Sequence, residues 1–407
     1  MSNSTNKNGK IVLVACVTIN LIIGVLYAWS VLRSRMVAEW GWTNSQAGFP
    51  YMLAVICIPL AMIVGGRIQD KIGPRWLVTA GGLLTGLGFI LSGIIGNNFL
   101  GVTLAFGLLV GIGIGFGYGC VTPPAIKWFH PSKKGLISGL IVGGFGMAAV
   151  YYAPLTTMLF NRFGIENTFI YLGIGALVIS VIVAQFVRNP PEGYVPAAPA
   201  NAGAAAAKAA PPVNFSSIEM LKTKRFYLMF LIYTLASSVG LMFIGQMKGI
   251  AESQAGVRDA TLVVSFLALM NAAGRVAGGK LSDKIGRINT LFVVLALQMV
   301  NMAVFRYYTN LPLLLVGIVV VGFCFGTLLS VFPAMTADQY GLKNLGLNYG
   351  IMFIAWGLSG VIATPIATYF KEAHGNFNYA YIICAGMMAA MVCVNWLLKK
   401  EISKRSS

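Results

Sequence analysis

Acidic charge is what this sequence has least of. Of 407 residues, 11 are Asp or Glu and 2 are His, and all charged residues together make up 10%. A soluble domain carries about 25%. Every acid (Glu39, Asp70, Glu166, Glu192, Glu219, Glu252, Asp259, Asp283, Asp338, Glu372 and Glu401) falls in a loop or near the end of an apolar run. That leaves no carboxylate in the middle of a run for acid–base work or a proton relay. His130 and His374 stand singly in different loops, so no metal cluster and no metal cofactor are expected. Cys16, Cys57, Cys120, Cys324, Cys384 and Cys393 lack CxxC spacing and lie within apolar runs, which reads as buried free thiols. Without a nucleophile–base pair or a phosphate-cradling loop between strand and helix, an enzyme is disfavoured.

What the chain does have is apolar length. Hydrophobic residues make up 57%, in recurrent runs of about 20 residues, long enough to cross a bilayer as helices. The spacing predicts an all-α polytopic membrane protein with twelve spans: 11–33, 45–68, 75–97, 99–127, 134–160 and 166–187, then 226–250, 258–282, 289–308, 311–337, 345–370 and 378–398. The first run is too long for a signal-peptide core and lacks a small-residue cleavage site, so it is expected to remain in the mature chain.

The net charge of +18 suggests a nucleic-acid partner, but the basic residues form no patch. Their sidedness explains them better. With a cytoplasmic N-terminus, Lys7, Lys10, Arg67, Lys71, Arg75, Lys127, Lys133, Lys134, Lys280, Lys284, Arg287, Lys399 and Lys400 are among the many inside. Only Arg33, Arg35, Arg162, Lys248, Arg258, Arg306 and Lys371 fall outside. Both termini are then cytoplasmic.

The tract Asn189–Pro212 is rich in Pro and Ala and reads as a linker. It divides an N-terminal six-helix bundle, 1–188, from a C-terminal one, 225–407, with 189–224 as the cytoplasmic connection. The halves repeat. Gly65-Gly-Arg-Ile-Gln-Asp70-Lys-Ile-Gly73-Pro-Arg75 follows span 2, and Gly278-Gly-Lys-Leu-Ser-Asp283-Lys-Ile-Gly286-Arg287 follows span 8. Paired glycines permit close helix approach, and each Asp is placed to cap the helix that follows.

Eight residues before Asp283, inside span 8, stands Arg275. At ~1.5 Å per residue it lies roughly 12 Å along the helix, close to the middle of a ~30 Å hydrocarbon core. An Arg there costs at least ~2.5–3.5 kcal/mol, so it marks a functional site. Its fork of donors suits a carboxylate, although helix carbonyls could also neutralise it. Asn271, one turn earlier, can hydrogen-bond a hydroxyl or carboxylate but cannot hold a proton. In span 4, Gly107, Gly111, Gly115 and Gly119 share one face, which reads as packing; Tyr118 among them either presents its hydroxyl to a cavity or packs as a core aromatic. Lys248 and Gln246, near the end of span 7, could form a secondary site or anchor the helix at the interface.

The doubled glycine–acid motif, twelve spans and a central loop resemble the major facilitator superfamily. The resemblance implies two six-helix bundles related by a pseudo-two-fold axis, with substrate held between them near the midplane. Asp70, Arg75, Asp283 and Arg287 then match a conformational latch, and a monomer is expected. Within the superfamily, Lys127-Trp-Phe-His-Pro-Ser-Lys133-Lys134-Gly-Leu-Ile-Ser-Gly139 and the glycines that follow resemble the opening of span 5 in monocarboxylate transporters and bacterial oxalate–formate exchangers. Arg275 matches the substrate-binding arginine of both. Where animal monocarboxylate transporters carry Asp this chain has Asn271, and where the exchangers carry a second cation it has Trp356. Val31 stands in place of a span 1 lysine. One cation favours a monoanion, lactate- or pyruvate-like, because a dianion would leave a buried charge unmatched. Leu26, Tyr27, Phe325, Leu329, Phe332 and Phe353, each of which alone reads more readily as ordinary core, would together wall a small apolar pocket with Arg275, Asn271, Tyr118 and Trp356. Proton symport is implied by the resemblance, carboxylate exchange is the alternative, and a carboxylate sensor is the reading from another class.

Overall fold

The structure, a computed structural model, describes residues 2–196, 214–257, 260–360 and 362–404. Arg258, Asp259 and most of the Pro/Ala tract lie outside them, and Tyr27 lies outside the described side chains. Every regular element among the described residues is helical: α1 Ser2–Ile23, α2 Trp29–Trp40, α3 Asn44–Ile72, α4 Pro74–Ile95, α5 Phe99–Val102, α6 Gly111–Lys127 and α7 Lys134–Ala184 come first. After the central segment follow α8 Ser217–Leu221, α9 Lys224–Ala255, α10 Thr261–Ile285, α11 Arg287–Val304, α12 Leu311–Tyr340, α13 Leu345–Ser359, α14 Ala363–His374 and α15 Asn378–Ser403. Among the described residues, 11 helices are long and apolar enough to cross a membrane. Their outward faces carry large apolar side chains, with Trp76 64%, Ile94 67% and Leu262 80% exposed, a surface suited to lipid.

Three expected spans differ in detail. The eleventh, 345–370, is divided into α13 and α14. Pro365 lies in the first turn of α14, where its missing N–H breaks no helical bond. The first span is interrupted by a 3₁₀ turn at Gly24–Ala28. Tyr151 and Tyr152 donate their hydroxyls to the Leu21 and Ile22 carbonyls just before it, satisfying acceptors near the break. The fourth contains an eight-residue π-helix, Thr103–Val110, between α5 and α6. Spans five and six, both within α7, meet as expected at a kink: Gly164 has φ 76° and ψ 178°, a non-helical backbone conformation open to glycine.

Helix contacts bear out the packing reading of the span 4 glycines. A Cβ at Gly107, Gly111, Gly115 or Gly119 would meet Leu53, Ala54, Ile58 or Met62 of α3 at 2.9 Å or less. All six cysteines are free, but Cys393 is exposed, a correction to the buried reading: its place in α15 puts it on an outward face.

The chain forms two compact units. One comprises 1–131, 144–216 and 336–353; the other comprises 132–143, 217–335 and 354–407. Each includes a short segment from the opposite half of the sequence.

Candidate functional site

In the second unit, α10 brings Arg275 and Asn271 to one face, four residues apart. Both are buried, Arg275 at 1% exposure and Asn271 at 2%. The Arg275 Nε donates to Asn271 Oδ1 at 3.1 Å, and Nη1 donates to the Val142 carbonyl of α7. The acceptors in these two hydrogen bonds are neutral, and they orient the guanidinium.

Glycines hold α10 in this position from two sides. A Cβ at Gly139 would come 2.2 Å from the Arg275 carbonyl oxygen, and one at Gly135 2.3 Å from that of Gly279. On the α12 side, a Cβ at Gly326 would lie 2.0 Å from the Asn271 oxygen and 2.8 Å from the Arg275 nitrogen. The glycine run after Lys134 therefore lets α7 approach α10 closely enough for Val142 to reach Arg275.

The other expected site residues are buried in their own units. Phe325 and Phe332 are 3% and 0% exposed, Leu329 2% and Trp356 8%. Phe325 packs against Gly240, and Phe332 stacks on Tyr233 with ring centroids 4.0 Å apart. A narrow internal cavity in this unit is lined by Gln298, Phe325 and Met388 among others, and Arg275 is not part of its lining. In the first unit, Leu26 is buried, and Tyr118 contacts Phe145 and Phe353 at 5.1 and 5.3 Å. Lys248, its side chain 77% exposed, pairs with Glu252 at 3.9 Å.

The two motif aspartates do not cap the helices that directly follow them, a correction to the expectation. Those helices have Gly73 and Gly286 at their N-caps, at φ 89° and 84°, and Pro74 at the first position has no N–H to offer. Asp70 instead accepts from Gly346 and Leu347 N–H at 3.3 and 3.1 Å, the second and third residues of α13. Asp283 accepts from Gly135 and Leu136 N–H at 2.8 and 2.7 Å, the second and third residues of α7. Each carboxylate thus satisfies first-turn N–H groups at the positive end of a helix dipole. The motifs differ in their arginines. Arg287 Nη1 bonds Asp283 at 2.6 Å, whereas Arg75 Nε donates to Gln185 at 2.7 Å.

Reading by spacing missed the Val142 carbonyl and the partners of both aspartates. A backbone acceptor carries no residue-type signal, and α13 begins 275 positions after Asp70 in the chain.

The chain resembles known proteins along most of its length. It is 28% identical over 352 residues to the Escherichia coli protein named Uncharacterized MFS-type transporter YhjX, covering 86% of this chain and 85% of that one. It is 26% identical over 377 residues to the oxalate:formate antiporter of Oxalobacter formigenes, covering 90% and 85%. To rat monocarboxylate transporter 13 it is 22% identical over 379 residues, covering 91% and 84%. The fold matches a crystal structure of the E. coli fucose:proton symporter FucP with a TM-score of 0.72 at 12% identity, over 95% of this chain and 98% of that one. The Major Facilitator Superfamily profile matches residues 12–305 and 249–407. With its helices, its doubled motif and these matches, the chain belongs to the major facilitator superfamily of multi-pass membrane transporters.

Proposed function

We propose that this transporter carries short monocarboxylates, lactate- or pyruvate-like, with Arg275 as the anion anchor, and moves them by alternating access. The observation that carries the reading is a permanently charged guanidinium, 1% exposed within a spanning helix, oriented by Asn271 and the Val142 carbonyl. A single guanidinium and a single carboxylate form a net-neutral pair, able to reorient without work against the membrane potential. Relatives named as a monocarboxylate transporter and an oxalate:formate antiporter support a carboxylate cargo.

In this reading Phe325, Leu329, Phe332 and Trp356, buried in the same unit as Arg275, provide apolar surroundings for the anion. The proton of a symport cycle travels on the carboxylic acid itself or near Arg275, since α10 contributes Asn271 where an acid would serve as proton carrier. Asp70 and Asp283 act as latches whose release lets the transporter change state, with Arg287 and Arg75 in unequal supporting roles. The protein resides as a monomer in the inner membrane with both termini cytoplasmic. Exchange of one carboxylate for another is the second reading, favoured by the oxalate:formate antiporter.

Uptake of labelled L-lactate, pyruvate, formate and oxalate into proteoliposomes tests this. Monocarboxylate uptake that follows an inward proton gradient supports symport. Uptake that requires internal carboxylate instead supports exchange. Absence of uptake of every carboxylate by folded protein would remove the proposal.

A further inference from the structure

The start of α13, held on one side by Asp70, is held on another by the last residues of the segment that joins the two halves of the sequence. Phe215 N–H donates to the carbonyl of Tyr340, the final residue of α12, at 2.9 Å. Lys343 N–H donates to Asn214 Oδ1 at 3.1 Å. The Phe215 carbonyl accepts from two side chains at once, Asn344 Nδ2 at 2.9 Å and Asn348 Nδ2 at 3.1 Å. Its ring packs edge-on against Tyr340, centroids 5.7 Å apart. Asn214 and Phe215 thus bond the α12–α13 turn at its beginning, its middle and its end.

The same five residues, 344–348, hold both sets of contacts. Gly346 and Leu347 give their N–H groups to Asp70, while Asn344 and Asn348, flanking them, give their side chains to Phe215. Asn348 is fully buried. On the α3 face the fit is close: a Cβ at Gly66 would lie 2.4 Å from the Gly346 carbonyl. A helix N-terminus frays unless its first turn is fixed, and Asp70 can accept from two N–H groups at once only if that turn keeps its register.

We propose that Asn214–Phe215 is a clasp that positions the first turn of α13 for Asp70, so that the connecting segment sets how firmly this latch closes. Asn344 and Asn348 are positioning residues in this scheme, acting through Asp70. The proposal rests on the latch role given to Asp70 above and is independent of the cargo. The other described end of the segment makes a comparable attachment. Trp128, just after α6, donates Nε1 to the Arg188 carbonyl at 2.8 Å and accepts at its own carbonyl from Tyr194 Oη at 3.2 Å. Each end of the connection is thus tied to the turn that precedes a helix capped by a motif aspartate.

Amide hydrogen exchange of the full-length protein in nanodiscs, read by mass spectrometry over peptides covering 341–353, tests the clasp. Asn344→Ala removes one donor from a half-buried position and is expected to speed exchange at Gly346 and Leu347 about three- to tenfold, the effect of one lost hydrogen bond. Asn344→Asp keeps the shape without the donor and must do the same. Asp70→Asn must also speed it, and the double variant must fall short of the product of the single effects, because both act on one turn. Peptides from 263–275 must stay at the wild-type rate. If neither Asn344 variant changes exchange while Asp70→Asn does, the clasp is refuted and the latch survives. If Asp70→Asn changes nothing, both fall. Multiplicative effects in the double variant, or faster exchange in 263–275 as well, would likewise overturn the clasp.

Discussion

Gly139→Ala tests whether the contact between α7 and α10 places the Arg275 guanidinium. The added Cβ would sit 2.2 Å from the Arg275 carbonyl oxygen and 3.0 Å from its carbon, where ordinary contact begins at 3.4 Å. Both atoms are backbone, so no side chain can swing aside, and α7 must retreat by roughly 1 Å, an overpacking that costs about 1–3 kcal/mol. Val142 follows Gly139 by three residues on α7, so the retreat also draws its carbonyl away from Arg275 Nη1. Gly175→Ala is the control, since a Cβ there meets nothing within 4 Å and alanine adds up to ~1 kcal/mol of helix propensity. Thermal unfolding of the purified variants, followed by tryptophan fluorescence, should place Gly139→Ala several degrees below wild type and Gly175→Ala at or above it. Carboxylate uptake at sub-saturating concentration should fall in the first and stay level in the second. If the two variants unfold together, close packing at Arg275 is not what holds the site, and the account of its geometry fails.

Three further outcomes follow from the same contacts. Asn271→Asp places a carboxylate where Oδ1 already accepts from Arg275 Nε at 3.1 Å; ionised, it competes with the substrate, so uptake should be weak at high pH and recover as protonation releases the arginine. An uptake profile parallel to wild type across pH would contradict this. Asp283→Asn breaks a close pair whose side chains are only 9% and 11% exposed, a loss of about 3–5 kcal/mol. Asp70→Asn leaves Arg75 on Gln185 and should lower the unfolding temperature much less; equal losses would refute the asymmetry. Gln254→Leu should destabilise the second unit by about 1–3 kcal/mol, because this side chain bonds the Phe305 and Tyr308 carbonyls and the Tyr381 hydroxyl. An unchanged unfolding temperature would show those bonds to be dispensable.

Much of the architecture was legible because a bilayer imposes length and composition on every span. Arg275 stood out for the same reason: a cation within an apolar run is costly enough to need a purpose. Its four-residue spacing to Asn271 put both on one helix face, but the hydrogen bond between them was not read from the sequence. The divided eleventh span left no distinct mark: Pro365 lies near the division, but Pro59, Pro124 and Pro333 lie inside unbroken helices. The tyrosine contacts at the span 1 break left no comparable mark, since they come from residues 130 positions away in the chain, and the π-helix of span 4 left none either. The aspartate partners were hidden for a different reason. A cap is ordinarily a local device, and nothing in Asp70 or Asp283 points to a helix start far away in sequence. Asn344 and Asn348 likewise carry no signal of their contact with Phe215, which lies 129 and 133 positions earlier in the chain.

The most direct test of the central claim is equilibrium binding of labelled L-lactate to purified wild type and Arg275→Gln, each challenged with unlabelled lactate and with neutral lactamide. Truncating one partner of a buried charge pair costs about 2–5 kcal/mol, or roughly 30- to several thousand-fold in affinity. The account predicts saturable binding in wild type that lactate displaces and lactamide does not, with no measurable binding in the variant. Arg275→Gln protein that binds lactate as tightly as wild type would contradict it.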